Sequence, residues 1–473
     1  MGSQAVPKLD IFHLHPYGWE NDPDEERFKI STLDYLAPCT YNNYALFFQL
    51  DGAKRGQVVE ALKAGLERTF SQARHLVGRI EEDAEGGHSF VRRKGDTVEF
   101  QVQYLDSPED GHPTFEDIKK SNFSTVTLGD LQLWSVPPMT YGEKPEANPE
   151  SNPKTSGYKA NFVRGGLVFN MHHHHWSNDV MGWAGYTHQL AENCCAFLKG
   201  TAYPDWDLSC LDVSHLCKKE PAPEAKVDGP PAQERHPDHT KAMALLFHLP
   251  KSKAAKLKEM AKPEDGTWVS TYDAFCAFIW RELTRIRAPV FNPDPSSKLF
   301  WSEAIDMRRR SHNPKVHPRV QHNVMFAAIS ATAGVDQPTV SELMSDWPLW
   351  KVARYIRQVT DTVTQENLDK TLDMVATIRN KSTLSIRIDA QPPLSILMTD
   401  HRDANIVSAD FGFGKPSTYR HVIDRVTNGV IVVYPSRDPS PKSDEGPELL
   451  FFYEKNLAQA LIDDPEWNKY FVR

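Results

Sequence analysis

The chain has few cysteines, no long apolar segment and no excess of positive charge. Its 473 residues contain six cysteines without a close-spaced framework, and Cys194 and Cys195 are adjacent, which argues against a disulfide scaffold and predicts reduced thiols. The longest apolar runs, such as 45–50 and 429–434, are strand-sized and far short of the roughly 18 to 20 residues that span a membrane. A net charge of −9 argues against a nucleic-acid partner, which would need clustered Lys and Arg.

Targeting signals and several catalytic motifs are also missing. The amino terminus lacks the basic region and apolar core of a secretory signal, and Val6 stands where myristoylation requires Ser or Thr. Together with reduced thiols, these absences predict a cytoplasmic protein that does not associate with membranes. There is no Gly-x-Ser-x-Gly elbow, no Cys-x-x-Cys and no His-Glu-x-x-His, so neither an activated serine nor a familiar zinc site is indicated.

The composition that remains is that of an ordinary folded protein, with 40% hydrophobic and 25% charged residues. The length favours two domains of roughly 200 residues each. The polar, proline-rich segment 218–240 is typical of an extended crossover, so we expect an N-terminal domain over 1–217 and a C-terminal domain over 241–473.

Local patterns predict a mixed α and β protein. Strand-like apolar runs lie at 45–50, 166–171, 243–249, 429–434 and 448–453. Apolar residues at helical spacing predict amphipathic helices over 58–70 and 180–198, and Ser270 with Asp273 resembles a capping box that opens a third helix. Residues 107–160, rich in Pro, Gly, Asp and Ser, are predicted to form surface loops around isolated strands.

Four contiguous histidines, His172 to His175, lie between a predicted strand and a predicted helix. Histidine has the side-chain pKa nearest neutrality, so it can take a proton from a hydroxyl and return it to a leaving group. His175 stands four residues before Asp179, at the kind of strand end where α/β proteins open clefts. It is therefore the candidate general base.

Two other chemistries compete for this cluster. Imidazole is a common metal ligand, but contiguous histidines on a strand alternate faces, so at most two of the four could converge on one ion. We therefore predict no metal site. A covalent route would need an activated Ser or Cys, whereas direct transfer needs only a histidine and a group that stabilises the oxyanion.

Two motifs carry a family resemblance. The segment 174–179 resembles the HHxxxD signature of the BAHD acyltransferases, and 410–416 resembles their DFGWG signature. Segment 33–38 resembles the opening segment of the family, 270–275 its donor-side helix start, and 306–308 its internal Asp-x-Arg. The resemblance thus extends over nearly the whole chain.

Two departures narrow the resemblance. Val180 follows the first signature where plant members usually have Gly, and Phe413 replaces the usual Trp of the second signature. The first departure, together with Phe278-Ile279-Trp280 and Gly414-Lys415-Pro416, resembles the fungal branch of trichothecene O-acetyltransferases. This branch acts in secondary metabolism.

The resemblance implies an α/β fold of two similarly sized chloramphenicol-acetyltransferase-like domains, with mixed sheets flanked by helices and the active site between them. His175 would be the base. Helix spacing alone would place Asp179 beside the His175 ring as its orienter, but the resemblance implies that Asp179 points away and pairs with Arg308. Further structural residues would be Asp410, Gly412 and Gly414. The candidate coenzyme contacts are Ser270, Thr271 and Lys415, the lysine because the phosphates of coenzyme A attract a cation; the alternative for each is solvated surface.

The function implied is transfer of an acyl group, with acetyl expected, from acyl-CoA to a hydroxyl of a small secondary metabolite. Acetyl-CoA or another acyl-CoA would be a co-substrate, no cofactor would be bound permanently, and the protein would act as a monomer. The alternatives are acylation of an amine, a condensation-type enzyme fed by a carrier protein, and an inactive binding protein of the same fold.

Overall fold

The computed structural model describes residues 8–140, 147–423 and 427–473. The amino-terminal residues considered above for targeting signals lie outside these ranges. The strands are β1 (Lys8–Leu14), β2 (Glu25–Lys29), β3 (Tyr41–Gln49), β4 (Arg79–Glu82), β5 (His88–Arg93), β6 (Val98–Leu105), β7 (Ser156–Val163), β8 (Gly166–His174), β9 (Ala242–His248), β10 (Trp301–Asp306), β11 (Met325–Ile329), β12 (Ile396–Asp400), β13 (Thr418–His421), β14 (Val430–Tyr434) and β15 (Glu448–Glu454). The helices are α1 (Arg55–Gln72), α2 (Phe115–Lys120), α3 (Leu131–Trp134), α4 (Val180–Lys199), α5 (Lys251–Met260), α6 (Thr271–Phe291), α7 (Leu349–Asp361), α8 (Gln365–Ala376), α9 (Ala458–Ile462) and α10 (Pro465–Asn468).

The N-terminal sheet has the strand order β1-β6-β7-β8-β3-β13. Its strands are antiparallel except for the parallel pair β6 and β7. The last strand, β13, comes from the C-terminal half of the chain and pairs with β3, with Thr418 opposite Phe47. The N-terminal sheet therefore contains one strand from the predicted C-terminal domain. The domain boundary at 218–240 stays a prediction.

The C-terminal sheet has the order β11-β10-β12-β14-β15-β9, in which β10, β12 and β14 are parallel and the remaining pairs are antiparallel. Its edge strand β9 follows the segment 218–240 directly. A small third sheet has the order β2-β5-β4. The predicted α/β architecture with mixed sheets flanked by helices is therefore confirmed.

Strand β3, between β8 and β13, is buried over eight of its nine residues, which fits the uninterrupted apolar run 44–48 within it. Helices α1 and α4 pack on one face of the N-terminal sheet. The other face is covered by residues of 107–140, including Phe115, Ile118 and Trp134. The prediction of surface loops for 107–160 was therefore wrong in part, because α2 and α3 are too short to show a helical period.

Helix α6 begins as its sequence predicts. The Ser270 hydroxyl accepts a hydrogen bond from the Asp273 N–H at 3.1 Å, and the Asp273 carboxylate accepts one from the Ser270 N–H at 2.6 Å. This is a full capping box. Asp273 is buried and also pairs with Arg357 at 2.8 Å, so the helix start is fixed against α7.

No helix in the described part of the chain combines the length and the apolar character needed to cross a membrane. All six cysteines are free thiols.

Replacing Gly65 with Ala should loosen the packing of α1 on α4. A Cβ atom at Gly65 would lie 2.3 Å from the Cys194 sulfur and 3.2 Å from the Cys194 backbone nitrogen. Such overpacking typically costs about 1 to 3 kcal/mol. The free energy of unfolding in urea measures this loss. Gly56→Ala in the same helix is the control, because no atom lies within 4 Å of its added Cβ; equal losses in the two variants would contradict close packing at Gly65.

Candidate active site

The histidine cluster lies where β8 ends and α4 begins. Strand β8 pairs with β3 up to His174, which is opposite Tyr41, and the chain then turns before α4 starts at Val180. Asp179 is the N-cap of α4, and its carboxylate accepts a hydrogen bond from the Gly182 N–H at 2.8 Å. Asp is favoured at this position because it satisfies a backbone N–H that has no partner inside the helix.

Three of the four histidines are fully buried and hydrogen-bonded. His172 Nε2 accepts from the Val136 N–H at 3.0 Å, His173 Nε2 bonds the Tyr158 hydroxyl at 2.9 Å, and His174 Nε2 bonds the Ala147 carbonyl at 2.9 Å. Burial lowers the pKa of these rings to about 3, about 3 and about 4. They are neutral parts of the core.

His175 has a different environment, because it lines the large cavity between the two halves of the molecule. Its backbone N–H donates to the Thr40 carbonyl at 2.7 Å, and its carbonyl accepts from Asn323 Nδ2 at 2.8 Å. The ring Nδ1 has no hydrogen-bond partner among the described residues. Burial lowers the pKa of His175, so the ring is neutral near pH 7 and can accept a proton.

The Asp179 carboxylate is occupied by other donors. Arg308 contacts it through both terminal nitrogens, with Nη1 2.8 Å from Oδ2 and Nη2 3.0 Å from Oδ1. The Val324 N–H donates to Oδ2 at 2.8 Å. With these donors and its own helix cap, Asp179 has no bond to the His175 ring, which supports the structural role implied by the resemblance over the ring-orienting role implied by helix spacing.

A second group of buried residues holds the same turn from the other side. The Asp34 carboxylate accepts from the Asn323 N–H at 2.8 Å, from Asn323 Nδ2 at 2.9 Å and from His322 Nδ1 at 2.9 Å. Asn323 in turn holds the His175 carbonyl. No sequence pattern pointed to Asn323, and Asp34 was noted only as part of a family-like segment, because these residues meet through folding alone.

The cavity has a volume of about 1770 Å³. Ser270 and Thr271, the predicted coenzyme contacts at the start of α6, line it. Lys415 is exposed and does not belong to the lining. The cations that do line the cavity, which sequence reasoning missed, are Arg235, Lys241, Arg309, Arg310, Arg357, Arg387 and Arg402.

The segment 410–414 forms a tight turn away from the cavity. The Asp410 carboxylate accepts from the Gly412 N–H at 2.9 Å, and the Phe411 N–H donates to the Gly414 carbonyl at 3.0 Å. Gly412 has φ +82°, and a Cβ there would lie 2.9 Å from the Cys195 Cα, so only glycine fits comfortably. This placement supports an architectural role for Asp410, Gly412 and Gly414.

Within the described ranges, no three His, Cys, Asp or Glu side chains are grouped so that they could hold a metal ion.

Replacing Asp179 with Asn should destabilise the protein, because it removes one of the two carboxylates that pair with the buried Arg308 and leaves only Asp306, 3.0 Å from Nη1. The two side chains are only 6% and 3% exposed, so a loss of up to about 3 to 5 kcal/mol in unfolding free energy is expected, less in so far as Asp306 compensates the Arg308 charge. Asp228→Asn is the control, since the Asp228–Arg379 pair is 92% and 55% exposed and its loss should be almost neutral. If Asp179→Asn keeps full stability and loses activity, the ring-orienting role is the better one.

Two family models and a curated relative match this chain. The model described as the transferase family matches residues 159–453, and that of the trichothecene 3-O-acetyltransferase-like N-terminal domain matches 40–194. Over 468 residues the chain is 67% identical to the acetyltransferase FGR3 of Gibberella zeae, covering 98% of this chain and 94% of that protein.

Solved structures show the same fold. The structure of F. graminearum TRI101 with coenzyme A and T-2 mycotoxin matches with a TM-score of 0.78 and 20% identity, over 94% of this chain and 99% of that one. Vinorine synthase matches with a TM-score of 0.65 and 18% identity, over 96% of each chain. The family match covers more than half of the sequence and includes both signature segments. The chain therefore belongs to the transferase family of BAHD enzymes and is an acyl-CoA-dependent acyltransferase.

Proposed function

We propose that this enzyme transfers an acetyl group from acetyl-CoA to a hydroxyl of a small secondary metabolite, with His175 as general base. One observation carries the assignment: of four contiguous histidines, His175 alone lines the cavity, while the other three are buried and bonded in the core. The acetyltransferase relative and the TRI101 complexes with coenzyme A and T-2 mycotoxin or deoxynivalenol support the acetyl donor and a hydroxyl acceptor.

The reaction needs no covalent enzyme intermediate. Neutral His175 accepts the proton of the acceptor hydroxyl while that oxygen attacks the thioester carbon. The tetrahedral intermediate collapses with cleavage of the carbon–sulfur bond, and the coenzyme A thiolate takes the proton back from His175. Both substrates must therefore be bound together.

The cavity lining supports a binding mode for the donor. Ser270 and Thr271 remain the proposed contacts at the start of α6. Coenzyme A carries phosphates, which form strong charge-assisted hydrogen bonds with cations. Because Lys415 lies outside the cavity, we assign the phosphates to lining arginines such as Arg309 and Arg310. Action as a monomer stays part of the proposal, as does a cytoplasmic location, which the free thiols support.

Replacing His175 with Ala should lower kcat about a hundredfold to ten-thousandfold, the usual contribution of a positioned base. The assay uses acetyl-CoA with T-2 mycotoxin, deoxynivalenol and a panel of alcohols and matched amines, with product identified by mass spectrometry. His13→Ala, at an exposed residue of β1, is the control. Activity of His175→Ala within threefold of wild type would remove His175 from the mechanism, and turnover of amines alone would replace O-acylation by N-acylation.

The kinetic pattern should show a ternary complex. Double-reciprocal plots of initial rate against acceptor concentration, at several fixed acetyl-CoA concentrations, should give intersecting lines, because no covalent acyl-enzyme forms. The rate should fall on acidification with an apparent pKa below 6.5, because burial lowers the pKa of the base and only its neutral form accepts a proton. Parallel lines, with an acyl group trapped on a residue required for turnover, would contradict the direct route.

A further inference from the structure

A second imidazole, that of His421 in β13, lines the same cavity as His175. The register of β13 on β3 places His421 opposite Tyr44, and the two ring centroids are 4.9 Å apart. Directly paired residues of antiparallel strands project from the same face of a sheet. His421, Tyr44 and Asn42 are therefore on one face, and all three line the cavity.

The hydrogen bonds of His421 fix the position of its ring proton. Its backbone N–H donates to the Tyr434 hydroxyl oxygen at 3.2 Å, and its Nδ1 lies 2.7 Å from the same oxygen. Among the described residues, these are the only hydrogen bonds of the Tyr434 hydroxyl, so its single proton is donated to His421 Nδ1. The proton of a neutral His421 ring is then on Nε2.

His421 is held in this neutral form. Burial, together with the neighbouring His401, His175 and Arg420, lowers its pKa well below the usual value. His401, whose ring centroid is 5.3 Å away, uses both of its nitrogens: Nε2 bonds the Thr399 hydroxyl at 2.9 Å and Nδ1 the Tyr419 hydroxyl at 3.1 Å. Within the described ranges, His421 Nε2 has no hydrogen-bond partner, so it is available to a ligand in the cavity.

Apart from these polar neighbours, apolar side chains line the same part of the cavity. One hydrophobic cluster on this wall of the cavity contains Tyr44, Met181, Ile423, Val432 and Phe452, which we call the apolar subsite. Its residues belong to β3, α4, β14, β15 and the chain after β13. The proposed coenzyme contacts Ser270 and Thr271 instead open α6 in the C-terminal half.

We propose that the Nε2–H of His421 binds an oxygen of the acceptor within the apolar subsite. The acceptor is then a largely apolar molecule that carries a carbonyl, ether or second hydroxyl oxygen besides the hydroxyl that is acylated. A donor in an apolar wall orients a ligand and disfavours an analogue without the matching oxygen, because the donor is then left unpaired. This inference rests on the proposed function and names the class of acceptor for it.

Three variants test the donor. His421→Phe keeps an aromatic ring without an N–H, His421→Gln keeps a side-chain N–H, and Tyr434→Phe removes the hydroxyl that fixes the ring proton. Tyr35→Phe is a matched control, because the Tyr35 hydroxyl accepts from the His88 N–H at 2.9 Å and bonds His88 Nδ1 at 3.2 Å in the same way, outside the cavity.

The probes are acetyl-CoA with 6-hydroxy-2-decalone and with 2-decalol, which lacks the ketone. Each alcohol is measured as a substrate and as a competitive inhibitor of the panel acceptors. In wild type the KM or Ki of the keto alcohol should be about tenfold lower than that of 2-decalol, the usual contribution of one hydrogen bond in a site without water. His421→Phe should raise the KM or Ki of the keto alcohol by about tenfold, change that of 2-decalol less than twofold and leave the KM for acetyl-CoA unchanged. His421→Gln should recover most of the preference, Tyr434→Phe should lose part of it, and Tyr35→Phe should retain it.

The inference about His421 would be overturned, with the proposed function left intact, by either of two results. One is that His421→Phe changes the KM or Ki of both alcohols equally; the other is that wild type acetylates the panel but does not prefer the keto alcohol. The inference would also be overturned if the effect of His421→Phe differed between acetyl-CoA and butyryl-CoA as donors but not between the two acceptors. If wild type acetylates no member of the panel, the proposed function itself fails. If the Tm shows that His421→Phe does not fold, His421→Gln and Tyr434→Phe still test the proposal. The assigned donor would be contradicted if Tyr434→Phe kept the full preference for the keto alcohol while His421→Gln lost it.

Discussion

The buried ion pair between Asp179 and Arg308 is the interaction on which the site depends. Asp179 caps α4 in the N-terminal half, and Arg308 follows β10 in the C-terminal half. Removing a single ion from water costs several kcal/mol. Each charge of this pair offsets that cost for the other, and Asp306, 3.0 Å from Arg308 Nη1, is a second partner of the arginine. The pair is satisfied only when the two halves are docked, and docking is also what encloses the cavity beside His175.

The placement of His175 is achieved mainly through its backbone. Its N–H is bonded to Thr40 and its carbonyl to Asn323, which is in turn fixed by Asp34. The turn is thus held by the residue before β3 on one side and by the loop before β11 on the other. This leaves the imidazole itself uncommitted and neutral, the state that a general base requires before it takes a proton.

One residue type serves two purposes in this cluster because the surroundings differ. His172, His173 and His174 project into the core, where burial favours the neutral ring and where neighbouring groups use its nitrogens as partners. The cavity also receives His421 from β13, a strand that crosses into the N-terminal sheet. Two imidazoles from distant parts of the chain are thus brought to one cavity by sheet pairing.

Short-range patterns were a sound guide to several elements. The strand at 166–171, the helix that follows Asp179 and the capping box at Ser270 could be predicted, because a strand run, an N-cap and a capping box depend on residues a few positions apart. The same kind of pattern failed for α2 and α3, since one or two turns show no period. Lys415, chosen for its charge alone, lies on the surface.

The sequence by itself determined the chemistry available: a histidine at a strand-to-helix junction, an acid four residues later and two signature segments in the order of a known family. Only the tertiary structure decided which histidine meets the cavity, that Asp179 faces Arg308 and not the His175 ring, and that Asp34, Asn323 and His421 join the site. These choices depend on strand register and on the burial of charge between the two halves. Both are properties of the whole packed chain and leave no mark in a local stretch of residues.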